Sequence, residues 1–364
     1  MSAPGAAASP AAASTERAAD VVVVGAGLAG LIAARRLAEE GAQVLLVDKG
    51  RRPGGRASTR RVADLGRIDQ GPQFFTVRSE AFAGEVDRWR ALGVPVVEWS
   101  RGHARARHVA EGPEGAITPA DGHPRYVIEG GFGTLTLALT RALPAAVTLQ
   151  PAVRAVAVAE RDGRLAVHVE PAHRPGPPRV VAAPRVLLTA PTPQALALCE
   201  AGGLDLGETG AALARLRWGP TLSWLAVLDD DPGLPAPGGV QLEEGPVEFL
   251  ADGARRGVGE RPTLTAHASG PWSLARFDAP DAVVADRLQA LLRPWLGATQ
   301  PLAWRLKRWR YARPLDPWQA GTARVDGGGG SLALAGDALG GAAIEGACTS
   351  GLASAEDLAD VVQG

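Results

Sequence analysis

An α/β protein of about two domains, one on a parallel sheet and one on a mixed sheet inserted into it, is predicted by three observations. Residues 21–48 read as strand, glycine-rich turn, helix and strand. Residues 331–362 read as a second strand, turn and helix, and between about 201 and 318 alternating apolar segments are separated by Gly/Pro turns. The chain's 364 residues match that count at ~150 residues per domain. With 46% apolar residues and 38 basic against 39 acidic side chains, general disorder is excluded, and no bulk charge favours a nucleic acid or an anionic membrane.

Taken in order, residues 1–18 are Ala-, Ser- and Pro-rich without an apolar core, so a disordered tail is expected and a secretory signal is not. Val21–Val24 is a β-branched run of the kind buried on both faces of a parallel sheet. Leu28, Leu31, Ile32, Ala34, Leu37 and Ala38 form the apolar stripe of a helix that Gly41 stops, and Gln43–Val47 is the next strand. The longest uncharged apolar run, 21–34, holds 14 residues and falls short of the ~20 needed to cross a bilayer. A cytoplasmic protein is expected. Further strands are expected at 151–156, Thr221–Val227, Thr263–Ala268, Trp304–Tyr311 and Ser331–Ala335, with helices over 281–296 and 344–362.

Gly25-Ala26-Gly27-Leu28-Ala29-Gly30 stands where a dinucleotide fingerprint must, after a strand and opening a helix. Gly25 permits the tight turn, Gly27 lets backbone N–H groups approach a pyrophosphate, and Gly30 lets the helix pack closely. Asp48, with Lys49 beside it, ends the second strand where a carboxylate accepts from ribose hydroxyls. NAD and FAD share this unit. The segment that follows, Arg52-Pro53-Gly54-Gly55-Arg56-Ala57-Ser58-Thr59, resembles the R-x-G-G-R-x-x-[ST] stretch of FAD-binding amine-oxidase-type flavoproteins, with Arg56 able to place a planar fork on phosphate or flavin. At the far end, Gly336-Asp337 follows a strand, suiting a carboxylate on ribityl hydroxyls. The N–H groups near Gly346 and Ala347 open a helix that could steady negative charge on a reduced flavin. Gly351 and Ala353 read as close packing against the sheet, and Glu345 as either an acidic first-turn residue or a substrate-facing one.

Together, 56–61, Asp69-Gln70-Gly71-Pro72-Gln73-Phe74-Phe75-Thr76, Lys307-Arg308-Trp309-Arg310-Tyr311-Ala312 and 336–347 resemble the bacterial renalase-type FAD oxidases. The resemblance spans 20–362, specific at its ends and loose in its middle. It implies a Rossmann-like FAD domain with an inserted mixed-sheet substrate domain, the architecture shared by amine oxidases and p-hydroxybenzoate hydroxylase. The division drawn from it is a tail over 1–18, an FAD domain from 19–78, 126–200 and 319–364, and a substrate domain from 79–125 and 201–318. It implies cofactor contacts at Pro72, Gln73 and Phe74, at Val153 beside the adenine, and at Ala190 and Pro191. Where relatives carry G-A-Q-Y-F, Phe74 replaces the tyrosine and its hydroxyl is lost. The segment 251–257 also departs from the relatives' Asn- and Ser-rich one.

The reacting centre is expected on the inserted sheet. Period two puts Lys307, Trp309 and Tyr311 on one strand face and Arg308 and Arg310 on the other. Trp309 is a candidate for an aromatic wall over the flavin, and Phe74 and Trp309 are candidates, though no specific pair, for the aromatic sandwich an amine oxidase would need. Lys307 is a candidate to reach the flavin N5 through water, or else a snorkelling or ion-paired lysine. His267 matches a family histidine in the substrate cavity, or else is a hydrogen-bonded core residue. Cys199 and Cys348 are the only cysteines, with no C-x-x-C, and the six histidines show no ligand spacing, so neither a dithiol centre nor a metal site is expected. No second G-x-G-x-x-G feeds electrons from NAD(P)H, which leaves oxygen as the simplest acceptor. The resemblance implies a non-covalent FAD enzyme that oxidises 2- or 6-dihydro isomers of NAD(P)H to β-NAD(P)+ and makes H2O2. The alternatives are an amine oxidase, a desaturase-like hydride acceptor and a flavin protein without turnover. The expected partners are a small reduced substrate and O2, with no nucleic acid and no membrane.

Overall fold

The computed structural model describes residues 15–17, 19–119 and 122–359. Its first sheet runs Ala323–Gly327, Gly330–Leu334, Arg185–Leu188, Val21–Val24, Val44–Asp48, Val147–Pro151, all parallel except the first, edge strand. Alternation along Val21–Val24 explains why the run is wholly apolar. Val21 and Val23 enter a core shared with the helices Leu28–Glu39, Glu80–Ala91, Phe132–Arg141 and Ile344–Ala359, while Val22 and Val24 enter a second core on the opposite face. That second core is covered by a four-stranded sheet, Thr15–Arg17, Arg179–Ala183, Arg164–Pro171 and Val153–Arg161, and by the helix Thr192–Ala201.

The inserted sheet has six strands in the order Pro301–Pro314, Trp218–Leu228, Thr263–Ala268, Val247–Asp252, Gly239–Leu242, Ala104–Ala106, antiparallel except at the last pair. One face packs Leu222, Trp224 and Ala226 against Val284, Leu288 and Trp295 of the helices Asp281–Leu291 and Arg293–Leu296. The other face carries Leu225 and Val227, which pack on Val62 and Ile68 of the hairpin Thr59–Val62/Gly66–Asp69. That hairpin links the two domains and brings the inner face of the inserted sheet against the loop after Asp69.

Several expectations are corrected. Thr15–Arg17 is a strand paired in parallel with Val180–Ala182 rather than part of a structureless tail, while residues 1–14 and 18 lie outside the described residues. The strand expected at 151–156 is broken at Ala152, whose φ of +60° turns the chain from the parallel sheet into the four-stranded one. The helix expected over 281–296 divides before Arg293-Pro294, because Pro294 lacks the N–H that would continue it. Helix Glu80–Ala91 buries Phe82, Val86 and Trp89 in the core of the nucleotide domain, whereas Ala104–Ala106 joins the inserted sheet, Ile117 bridges to Arg105 and Val109 packs in the inserted core. The last helix is described to Ala359; its expected end at residue 362 lies outside the described residues.

Candidate functional site

The strand ends that matter share one edge of the parallel sheet, the carboxyl edge at which open α/β sheets bind ligands. Gly25 turns there with φ +108°, and its N–H donates to the Val47 carbonyl at 2.8 Å. A Cβ on Gly30 would lie 1.8 Å from the Gly25 carbonyl oxygen, so the turn requires that glycine sterically. A Cβ on Gly27 would meet nothing within 4 Å, which leaves its side open. The 52–59 loop docks on this turn: the Gly54 N–H donates to the Ala26 carbonyl at 2.7 Å, and a Cβ on Gly55 would sit 3.4 Å from the Gly27 Cα. Two glycines therefore face one open cradle, beside the first-turn N–H groups of Leu28 and Ala29, which a helix leaves without intrahelical acceptors. This fits the pyrophosphate of an extended dinucleotide.

Asp48, at the carboxyl end of the second strand, stands beside the cradle. Its carboxylate accepts from the Ala26 N–H at 2.7 Å and the Gly50 N–H at 2.6 Å, tying the fingerprint turn to the second strand. The Ala152 N–H donates to the Gly50 carbonyl at 2.9 Å, which brings Val153 to this end. Lys49 is exposed, and Ala57 is buried, its N–H donating to the Gly54 carbonyl at 3.0 Å. Ala190 and Pro191 follow Thr189, whose hydroxyl donates to the Gly25 carbonyl at 2.8 Å, so they flank the cradle.

The two ends of the chain meet through Arg56 and Asp337. The guanidinium holds both carboxylate oxygens, at 2.8 and 2.6 Å, and also donates to the Ala312 carbonyl at 2.9 Å. Trp218 lies under it, 5.5 Å from ring centroid to guanidinium carbon. Both residues border the cradle, but they bind each other, which sequence alone did not suggest.

The last helix bears on three readings of the sequence and corrects one. A Cβ on Gly346 would lie 1.5 Å from the Gly341 carbonyl oxygen, so the turn itself demands glycine, and the Ala347 N–H is engaged by the Ala343 carbonyl at 3.2 Å. Of the two readings of Glu345, the first-turn one has observed partners: its carboxylate accepts from the Arg78 N–H, the Ser79 N–H at 2.7 Å and the Ser79 hydroxyl at 2.6 Å, bracing the start of helix Glu80–Ala91. Gly351 packs on the first helix rather than the sheet, where a Cβ would lie 2.5 Å from the Ala29 carbonyl oxygen.

On the inserted sheet, Lys307, Trp309 and Tyr311 share the inner face, while Arg308 reaches the Phe277 and Ala279 carbonyls and Arg310 pairs with Asp278 on the other. Lys307 Nζ lies 4.3 Å from the Trp309 ring centroid. Burial, then the like charges of Arg305, Arg60 and Lys49, hold its pKa below the usual lysine value. His267 is a hydrogen-bonded core histidine: Nε2 lies 2.9 Å from the Gly71 carbonyl and Nδ1 2.8 Å from the Ser223 hydroxyl. A carbonyl can only accept, so Nε2 carries the proton and Nδ1 accepts. Burial lowers its pKa to about 4.

The loop after Asp69 is gripped from the inserted domain at four carbonyls. Thr265 Oγ1 donates to Asp69 at 3.2 Å, Trp309 Nε1 to Gln70 at 3.0 Å, His267 Nε2 to Gly71 at 2.9 Å and Arg256 Nη1 to Gln73 at 2.6 Å. Gln73 Nε2 adds bonds to the Asp69 and Gly71 carbonyls. Asp69 is buried with Arg256 at 3.4 Å and accepts from Thr59 Oγ1 and the Phe132 N–H; burial raises its pKa despite those partners. Pro72 and Phe74 lie on this loop. Phe74 rests against Trp99, His103 and Phe249 at centroid distances of 5.9, 5.6 and 5.8 Å rather than opposite Trp309. Beyond His103, a cavity of about 1170 Å³ lined by Glu248, Trp272 and Arg313 opens at the sheet's end and touches none of the sequence-predicted site residues.

Sequence reasoning missed Asp69, Arg256, Thr265 and Ser223 as site-building residues. The available signal was Thr263-x-Thr265-x-His267, three polar side chains on one face of an otherwise apolar strand. Among the described residues no group of three His, Cys, Asp or Glu could hold a metal ion, and no helix is long and apolar enough to cross a membrane.

The family model of flavin-containing amine oxidoreductases matches residues 101–359, and that of NAD(P)-binding Rossmann-like domains matches 23–86. A protein of Mycobacterium tuberculosis named as a flavin-containing monoamine oxidase is 40% identical over 97 residues, covering 24% of this chain and 20% of that protein. A hydroxyneurosporene desaturase of Rubrivivax gelatinosus is 52% identical over 58 residues, 16% of this chain and 11% of its own. Among solved structures, a redesigned putrescine oxidase superposes with a TM-score of 0.70 at 17% identity, covering 93% of this chain and 98% of its own. Cyclohexylamine oxidase from Brevibacterium oxydans IH-35A gives 0.67 at 16% identity over 95% and 100%.

Proposed function

Because the chain belongs to the family of flavin-containing amine oxidoreductases, and is thereby a flavin-dependent oxidoreductase, we propose that it is a renalase-like oxidase using non-covalent FAD on misreduced, phosphate-bearing nicotinamide dinucleotides. A bound FAD supplies two-electron oxidation, taking hydride from the substrate and returning electrons to O2 to give H2O2. The chain's own residues bind and orient. Gly27, Gly55 and the first turn of the first helix hold the pyrophosphate, Asp48 and Val153 flank the adenosine, and Asp337, steadied by Arg56, borders the ribityl chain. Cys348 is fully buried in a helix with its pKa raised well above the usual thiol value by burial, which supports a cofactor without a covalent link.

One observation carries the substrate class. Lys307 stands beside Trp309 on the inner face, and after burial the charges that lower its pKa are those of Arg305, Arg60 and Lys49, all positive. Such a wall attracts a dinucleotide's phosphates and opposes an ammonium. His267 supplies no free acid or base, since it is neutral and engaged at both nitrogens, and Lys307 is the titratable side chain beside Trp309. A dihydropyridine isomer needs neither, because it gains aromaticity on losing hydride. The protein is expected to purify yellow and to release FAD on denaturation. Anaerobic mixing with 2- and 6-dihydro-NAD(P), with β-NAD(P)H and with amines tests the substrate: the isomers should bleach the flavin fastest and air should restore it. Faster bleaching by an amine transfers the assignment to amine oxidation.

A further inference from the structure

We propose that Arg256 is a positioning residue for the flavin reaction, fixing the 70–74 loop so that its free backbone N–H groups are presented on the side away from the inserted sheet. Nothing in the sequence motifs assigns it a role, and the inference rests on the reading of this site as a flavin site.

The argument begins with peptide geometry. In a planar trans peptide the N–H points opposite to the C=O. Arg256 Nη1 holds the Gln73 carbonyl at 2.6 Å, so the Phe74 N–H of the same peptide is directed away from Arg256. Trp309 Nε1 holds the Gln70 carbonyl at 3.0 Å, which turns the Gly71 N–H in the same sense. Neither N–H donates to a backbone carbonyl, whereas the flanking Gln70 and Phe75 N–H groups are paired with Ser58 and Tyr126. The loop abuts the cradle, because a Cβ on Gly71 would lie 2.2 Å from the Arg56 carbonyl oxygen. The Gly71 donor therefore stands at the border of the cofactor space, and the direction of both N–H groups is set from the other domain.

Arg256 also carries polar atoms that the loop does not use. It is buried, it pairs with Asp69 at 3.4 Å, and its Nε and Nη2 have no protein partner, nor has the buried Oε1 of Gln73. Buried donors in native structures are paired by protein, ordered water or ligand, so these atoms are places for such a partner.

The test uses Arg256→Lys and the double variant Arg256→Met/Asp69→Asn, which removes both charges together so that no lone carboxylate is left buried. In FAD-free protein, hydrogen exchange at the Gln70 and Phe75 amides should accelerate ~10-fold or more in the double variant and less in Arg256→Lys, with Val21–Val24 unchanged. In FAD-loaded protein, the flavin midpoint potential should shift and kcat fall roughly 10- to 100-fold with KM nearly constant, as expected for misplacement, and Arg256→Lys should recover part of both. Unchanged exchange at 70–75, or an equal rise at Val21–Val24, overturns the proposal. Failure of the parent protein to bind FAD overturns the flavin site itself, while the exchange result still decides how Arg256 holds the loop.

Discussion

His267 gives a prediction whose sign and size follow from its surroundings. Its ring is neutral in the folded protein, donating from Nε2 to Gly71 and accepting at Nδ1 from Ser223, with its pKa held at about 4 against an ordinary 6.5. A folded-state pKa below the unfolded one means that the unfolded chain takes up the proton first as pH falls. The contribution is thus fully present above pH ~6.5 and is lost as pH falls through 6.5 toward 4. At pH 5 the linkage amounts to about 2 kcal/mol, reduced to ~1–2 kcal/mol because the ring keeps some exposure. For a chain of this length that is a fall of about 1–3 °C in the melting temperature. His267→Gln, which keeps an amide donor for Gly71 without the titration, should start lower at pH 7 but lose less between pH 7 and pH 5. The assay is thermal unfolding of FAD-free protein at both pH values, with the wild-type difference compared to the variant's. Equal losses in the two proteins would refute the reasoning, because the titrating group would then lie elsewhere.

Asp48→Ala should leave the Ala26 and Gly50 N–H groups without their acceptor and weaken FAD binding by about 1.5–3 kcal/mol, read by titrating apoprotein with FAD. Arg56→Ala should strand the buried Asp337 carboxylate and lower stability by ~2–4 kcal/mol, measured by chemical denaturation; a change under ~1 kcal/mol would show that the fork is dispensable. Glu345→Gln should lower the melting temperature by an amount equivalent to ~1 kcal/mol while leaving the rate of flavin reduction unchanged; a slowed reduction would restore its substrate-facing reading.

What was legible in the sequence was what local chemistry dictates. Val21–Val24 could only be a strand buried on both faces, and glycines at 25 and 30 are demanded by contacts a few residues away. Period two correctly separated Trp309 from Arg308 and Arg310. What it could not show was where the Trp309 N–H goes, because its acceptor lies 239 positions away, or that Arg256 meets Asp69 across 187 positions. Ala152 illustrates another limit: alanine gives no signal for a positive φ, so a strand break hid inside an unbroken apolar alternation. Helix Glu80–Ala91 is an ordinary amphipathic helix, and nothing local tells which of two cores its apolar side will join.

The fork between Arg56 and Asp337 joins residues 281 positions apart, and the last helix packs its Gly351 against Ala29 of the first. The order of biosynthesis therefore constrains when the cofactor can be held. At ~5–20 residues per second, the fingerprint turn emerges roughly a quarter of a minute to a minute before its partner does. Through that interval the nascent chain displays Leu31, Ile32 and the first helix's glycine-lined edge without their cover. Flavin capture then waits for the segment that carries Asp337 and Gly351, and a product that stops short of it would remain colourless.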